Sequence, residues 1–385
     1  MNTTLKYINK VSDHRIGDLN LKILVYLLVM TLFMLFASSC GPNSPTNEIA
    51  TPQEPTQPLP TDTSLHSPSP TSTTQVPTET PIPEATDPVQ AYGPSNFPPD
   101  VNPLTGLVIS DPSLLDRRPV AVKVQIFPRG QRPPFGISLA DIVYDYYQNN
   151  GLTRFHAIFY GQNAERVSPI RSARLLDGHL IEMYKSIFAF GGADWRILSK
   201  LYNSNYSDRL IVEGSGKCPP MCRIDPNGYN FLVTNTEELS KYATDQGISN
   251  VKQNLDGMSF NINTPPGGQN GSQVFIQTSI SSYARWDYET SSGIYLRFQD
   301  TQEDGDGENE GYEPLFDQLT NRQISAENVV ILFVPHQYAY RSKSGQNEII
   351  DILLNGSGTA YAYRDGQVFQ VQWTRPANDS VLYLN

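Results

Sequence analysis

The sequence predicts a mixed α+β fold, with an N-terminal α/β domain, a β-rich antiparallel domain after it and a disordered stalk ahead of both. Three observations carry this expectation. About half of the 30 prolines fall between Gly41 and Asp100, among Thr, Ser, Gln and Asn. Apolar residues at helical spacing occur only between Ser172 and Asp245. From Ser259 onward, short β-branched and aromatic runs alternate with Gly, Asn and Asp.

The first element is not part of the fold. Lys6, Lys10, Arg15 and Lys22 precede an apolar run from Ile23 to Phe36, which closes on Ala37-Ser38-Ser39-Cys40-Gly41. A basic start, a short apolar stretch and small residues before a cysteine read as a bacterial lipoprotein signal, because the thiol at the cleavage point can take a diacylglyceryl group. A transmembrane anchor needs about 20 apolar residues, more than this run supplies. Residues 1–39 are therefore expected to be a signal peptide and Cys40 the lipidated first residue. Residues 40–100 are too poor in apolar side chains to bury a core, and read as a stalk. At ~3 Å per residue, an extended tether of this size reaches on the order of 100 Å from the membrane.

Composition narrows the partners. The formal net charge is −11 although the signal region is basic, so nucleic acid, which needs a basic surface, is not an expected partner. With Cys40 assigned to lipid, two of the 3 cysteines remain, in Cys218-Pro219-Pro220-Met221-Cys222. Two close cysteines outside the cytoplasm read as a disulfide closing a Pro-Pro loop. They would be only half of a structural zinc site, and no third ligand lies near them in sequence.

In the α/β domain, expected over 101–250, Val120 to Phe127 reads as a strand, as do Asp141 to Tyr147 and Phe155 to Tyr160. Leu175, Leu176, Leu180, Ile181 and Tyr184 place a helix between Ser172 and Tyr184, and Ile187 to Phe190 returns to strand. Asp194 to Tyr202 is a second helix, with Asp194 as its cap. Thr234 to Asp245 is a third, capped by Asn235 or Thr236. The β-rich domain, expected over 251–385, contains strands near 274–278, 294–299, 329–334, 349–354, 359–364 and 368–374. Asn355-Gly356 and Asp365-Gly366 are read as hairpin turns.

The densest polar cluster is Arg154, in Gly151-Leu152-Thr153-Arg154-Phe155, with Arg171 and Arg174, in Ser168-Pro169-Ile170-Arg171-Ser172-Ala173-Arg174. Forked guanidinium donors near strand and helix ends suit a carboxylate or phosphate, and Arg171 and Arg174 are expected on one side of a helix's first turn. The alternative is an internal arginine network with Asp141, Asp145 and Asp177 as partners.

Arg118 to Val124 (Arg-Pro-Val-Ala-Val-Lys-Val), Ala140 to Asp145 (Ala-Asp-Ile-Val-Tyr-Asp), Gly151 to Phe155, Pro169 to Arg174, Gly191-Gly192, Asn230 to Thr234, Tyr295 to Phe298 and Ala326 to Val330 are similar to the YerB-like family of bacterial lipoproteins. That family is defined by domain of unknown function 3048, in N- and C-terminal parts. The resemblance runs over nearly everything after Asn102 and implies an α/β domain followed by a β-rich one, without implying a reaction. Members commonly carry a glutamate where this chain has Asp145, and a Pro-His-Asn near Gly228-Tyr229-Asn230. With that histidine missing, no general-base or metal role resting on it carries over.

Other chemistry is thinly represented. His14, His66, His156, His179 and His336 form no spaced metal-ligand set, and no metal or cofactor is expected. His156 and His179 read as packing or surface residues. Asp141, Asp145, Asp177, Glu182 and Asp194 could supply a glycosidase-type acid/base pair, but no nucleophile motif is present. The acidic run Asp300 to Glu310 fails the calcium-loop spacing and reads as a solvated hairpin tip. The expectation is a lipid-anchored, extracytoplasmic binding or scaffold protein that meets a cell-envelope polymer or envelope protein at Arg154, Arg171 and Arg174. A carboxylate-dependent cell-wall hydrolase or transferase, and a structural module with buried arginines, are the rivals.

Overall fold

In a computed structural model, described over residues 91–385 apart from 215, 225–230, 305–307 and 346, five strands form the central sheet. The signal peptide 1–39, Cys40, stalk residues 41–90 with His66, and Gly228-Tyr229-Asn230 lie outside the described residues. The described residues begin ahead of the α/β domain expected from residue 101. Ala91–Tyr92 pairs antiparallel with Phe260–Asn261, and the Gly257 amide donates to the Pro94 carbonyl.

The sheet is built from β1 (Val120–Val124), β2 (Ile142–Asn149), β3 (Leu152–Phe159), β4 (Ile187–Phe190) and β5 (Leu210–Val212), in the order β2-β3-β1-β4-β5. β2/β3 and β3/β1 are antiparallel, while β1/β4 and β4/β5 are parallel. The antiparallel pair needs only a tight turn, which Asn150 and Gly151 provide with positive φ at both positions. The parallel pairs need crossovers. Helix α1 (Leu175–Tyr184) returns the chain from β3 to β4, and α2 (Trp195–Tyr202) links β4 to β5.

Every residue of β1 is buried, because this central strand is covered on both faces. One face carries Ala121, Ile158, Phe188 and Phe190 under Leu176, Leu180 and Ile181 of α1, with Ile349, Ile350 and Trp373 from the second half. The other carries Val120, Val122, Phe155, Ala157 and Ile187 under Leu239 and Ala243 of α3 (Thr236–Asp245), with Val274, Trp286 and Tyr295 from the second half. Each sheet face is thus closed by elements from both halves of the sequence.

The second half is antiparallel. Ser282–Glu289 pairs with Gln273–Ser279 on one side and Ile294–Asp300 on the other. Gly356–Arg364 and Gln367–Arg375 form a hairpin turned by Asp365-Gly366, both at positive φ. Asn355-Gly356 does not make the expected hairpin. Only Gly356 has positive φ, so no type I′ turn forms, and the dipeptide joins Glu348–Ile352 to a strand of a different sheet. Glu348–Ile352 pairs instead with His336–Arg341, a strand exposed along its whole length.

The expected solvated tip at 300–310 also needs correction at its start. Asp300 is fully buried and accepts from Arg129 Nε at 2.7 Å and from Arg132 Nη2 at 3.1 Å, tying the β-rich half to the loop after β1. Cys218 and Cys222 are bonded. Their loop leads into a short hairpin of Met221–Arg223 and Leu232–Thr234, whose Leu232 carbonyl accepts from the Ile170 amide.

Candidate anion-binding site

The carboxyl edge of β1 and β4 is crossed by an extended strap, residues 168–174. The Arg171 amide donates to the Lys123 carbonyl at 2.9 Å, the Gly191 amide to the Arg171 carbonyl at 3.0 Å, and the Ala173 amide to the Gly192 carbonyl at 2.9 Å. These bonds hold Arg171 in strand-like backbone. Arg171 and Arg174 therefore do not share a helical turn as expected, since α1 begins only at Leu175, with Arg174 as its N-cap. Crevices outside the carboxyl ends of parallel strands are where open α/β sheets take ligands.

Sheet register sets the row beneath the strap. Lys123 of β1 lies opposite His156 of β3, and Tyr146 of β2 lies opposite Arg154 of β3. Asp177, in the first turn of α1, descends onto this row. Its fully buried carboxylate accepts from Tyr146 OH at 2.6 Å, His156 Nδ1 at 2.8 Å, Lys123 Nζ at 3.3 Å and the Arg174 amide at 2.6 Å. The last bond is one half of a capping box. Lys123 Nζ also meets Tyr146 OH and lies 3.9 Å from that ring's centre.

The electrostatics follow from burial. Desolvation pushes the Lys123 ammonium down to about 7; the Asp177 carboxylate opposes this shift, and Arg154 and Arg174 add to it. Asp177 is itself pushed up by burial, but Lys123, His156 and Tyr146 outweigh that and hold it below the usual carboxylate range. His156 is lowered by burial against the pull of Asp177. It stacks on Phe188 with ring centres 4.9 Å apart, and its buried Nε2 has no partner among the described residues. The neutral ring therefore carries its proton on Nδ1, facing Asp177.

The three expected arginines come together above this row. Arg154 donates through Nη1 to the Ser172 carbonyl at 2.8 Å, while its buried Nε has no hydrogen-bond partner. Burial, then Arg174 and Arg171, push it down to about 9. Arg174 donates to the Ala173 carbonyl at 2.9 Å, Gln148 Oε1 at 2.8 Å and Asn149 Oδ1 at 3.2 Å. Arg171 is almost wholly buried. Among the described residues, neither Arg154 nor Arg174 forms an ion pair at salt-bridge distance.

Two of the carboxylates expected as their partners, Asp141 and Asp145, are engaged elsewhere, and so is the acid/base candidate Asp194. Asp141 accepts from Asn102 Nδ2 at 2.8 Å and from the Tyr160 and Gly161 amides. Asp145 pairs with Arg297 at 2.7 Å. Asp194 caps α2 and is held by Arg196. Two contributors were not singled out in the sequence, Lys123 and Tyr146. A lysine inside Val120-Ala121-Val122-Lys123-Val124 was the available signal, since a strand covered on both faces must bury it.

Comparisons with known proteins agree with this architecture. Residues 104–249 match the N-terminal domain, and residues 274–385 the C-terminal domain, of the family described as "Protein of unknown function (DUF3048)". The chain is 27% identical over 276 residues to the protein named "Putative lipoprotein YerB" of Bacillus subtilis (strain 168), covering 70% of this chain and 77% of the relative. A crystal structure of YerB protein from Bacillus subtilis superposes with a TM-score of 0.56 at 24% identity, over 73% of this chain and 89% of that one, a likeness of fold.

Two outcomes follow for the buried row. Lys123→Met leaves the Asp177 carboxylate without its cation and should cost about 3–5 kcal/mol in chemical denaturation; a loss below about 1 kcal/mol contradicts the pairing. His156 has a folded pKa below its ordinary 6.5, so the unfolded chain takes up that proton first. Its contribution to stability is complete above 6.5 and is lost as pH falls toward the folded pKa. The buried Lys123 gives a slope of the same sign, with stability gained as pH rises from about 7 toward the free-lysine value. Melting temperature should therefore rise from pH 5 to pH 8, and a fall across that range contradicts the account.

Proposed function

Since the chain belongs to the DUF3048 family and carries its N- and C-terminal domains in order, we propose that it is a lipid-anchored extracytoplasmic protein that binds an anionic component of the cell envelope at its arginine cluster. The observation that supports this reading is the charge count at the strap. Lys123, Arg154 and Arg174 surround one carboxylate, Asp177, which is already taken up by Lys123, Tyr146 and His156. Two guanidiniums are thus gathered in a largely desolvated place with backbone carbonyls and side-chain amides as partners. Burial lowers the proton affinity of both, Arg174 adding to the shift at Arg154, and an anionic ligand opposes this.

The hydrolase reading has less support. Asp145 is committed to Arg297, and Asp177 is sealed from solvent, so neither is placed to protonate a leaving group. The structural-network reading has less support for Arg154 and Arg174, since among the described residues neither is in an ion pair, and Asp141 and Asp145 are held by other groups. Attachment through Cys40 accords with the relative's name as a lipoprotein and with the chemistry of the cysteine at the end of the apolar run.

Titration of the detergent-solubilised chain with soluble peptidoglycan fragments tests the site. Arg174→Gln should weaken binding by about 1.5–3 kcal/mol, the worth of a charged hydrogen bond, with the melting temperature nearly unchanged. Unchanged affinity with a large drop in melting temperature would install the structural reading. For the anchor, radiolabelled palmitate should label the wild type, and Cys40→Ser should be released or left unprocessed. An unlabelled wild type, with Cys40→Ser still membrane-bound, contradicts lipidation.

A further inference from the structure

Beside the arginine cluster lies a patch that the anion-binding reading does not use. Trp195, the first residue of α2, is 72% exposed. The strand His336–Arg341 presents Tyr338, 54% exposed, and Tyr340, 38% exposed. Each tyrosine carries an arginine on its face. Arg196 lies 3.6 Å from the Tyr340 ring centre and 5.6 Å from that of Trp195, and Arg341 lies 4.7 Å from that of Tyr338. Asp194 orients Arg196 through a two-pronged pair, Nε to Oδ1 at 2.9 Å and Nη2 to Oδ2 at 2.8 Å.

The patch is continuous with the cations. On one side, the strap is bonded to Gly192, two residues before Asp194, whose carboxylate is held low in part by Arg174. On the other, Arg174 donates to Gln148 and Asn149, and the neighbouring Tyr147 OH and Asn150 amide donate to Glu348, which sits opposite Arg341 across the hairpin. Arg174 is thus linked to the Arg196–Tyr340 stack through Asp194, while Arg341 and Tyr338 lie on the other face of the hairpin. Clustered exposed aromatics of this kind mark a binding surface.

We propose that Trp195, Arg196 and Tyr340 form a glycan-binding platform, on which a carboxylate-bearing sugar chain lays its ring faces while its acidic group meets Arg154 and Arg174. The inference rests on the anion-binding reading and names its ligand class. Sugar rings offer flat C–H faces to aromatic rings and hydroxyls to a fixed Asp–Arg pair, and this patch has both. An added peptide strand fits less well. The ladder between His336–Arg341 and Glu348–Ile352 shifts register between Tyr338 and Tyr340, and such a bulge interrupts the regular edge that strand addition needs. Arg154 and Arg174, each only partly buried, carry planar guanidinium donors that match a two-oxygen carboxylate.

The test uses the detergent-solubilised full chain and three probes: muramyl oligosaccharides with peptide stems, the same stem peptides without sugar, and inorganic polyphosphate. Trp195→Ala and Tyr340→Ala should each weaken oligosaccharide binding by about tenfold, leave the weaker stem-peptide binding unchanged and keep the wild-type melting temperature. Arg174→Gln should weaken both. Equal oligosaccharide binding by wild type and aromatic variants would overturn the platform while leaving the anion site standing. Loss of stem-peptide binding in the aromatic variants would make the patch a peptide site instead. Polyphosphate outcompeting the oligosaccharide would overturn the choice of carboxylate, and indifference of all probes to Arg174→Gln would remove the underlying reading.

Discussion

The Asp177 carboxylate is the interaction on which the α/β half depends. It is fully buried, and it accepts from a lysine, a tyrosine, a histidine and the amide that starts its own helix. An isolated charge at such depth would be strongly destabilising, so the four donors have to be in place together. Each comes from a different element: β1, β2, β3 and the strap. One carboxylate therefore sets the pitch of α1 on the sheet and fixes where the strap ends, and with it the position of Arg174.

That arrangement separates two kinds of positive charge. Lys123 is neutralised inside the core, whereas Arg154 and Arg174 stand above it, paired with dipoles instead of carboxylates. Guanidiniums keep their charge under desolvation better than an ammonium does, and their planar donors can satisfy backbone carbonyls on one edge while leaving another open. The β-rich half contributes the neighbouring surface. Its exposed hairpin stands against β2 through Glu348, and its buried Asp300 anchors the loop after β1 through two arginines. Neither half closes the site alone.

Much of this was legible in the sequence. Helix caps were readable because Asp194 and Asn235 are short side chains whose oxygens reach the first free amides, and both do so. The order of α/β and β-rich halves followed from periodicity. What was hidden depends on long-range contacts. Helical spacing from Leu175 onward looked extendable to Ser172, yet the strap's bonds to Lys123 and Gly192 hold those residues extended. Lys123 read as one polar position in a strand, and only the helix above it makes that position a buried charge. His156 read as a packing residue, which its stack on Phe188 supports, but its Nδ1 bond to Asp177 required a tertiary partner 21 residues away. The aromatic patch joins α2 to a hairpin more than a hundred residues later, a proximity that no local pattern encodes.

The most direct measurement of the central claim is a crystal structure of the chain grown with a muramyl oligosaccharide. The account predicts an acidic group of the ligand within hydrogen-bond distance of Arg154 or Arg174, with Asp177 still bound to Lys123, Tyr146 and His156. A ligand seated elsewhere, or a free-state structure in which Arg154 and Arg174 are each paired with a carboxylate, would contradict it.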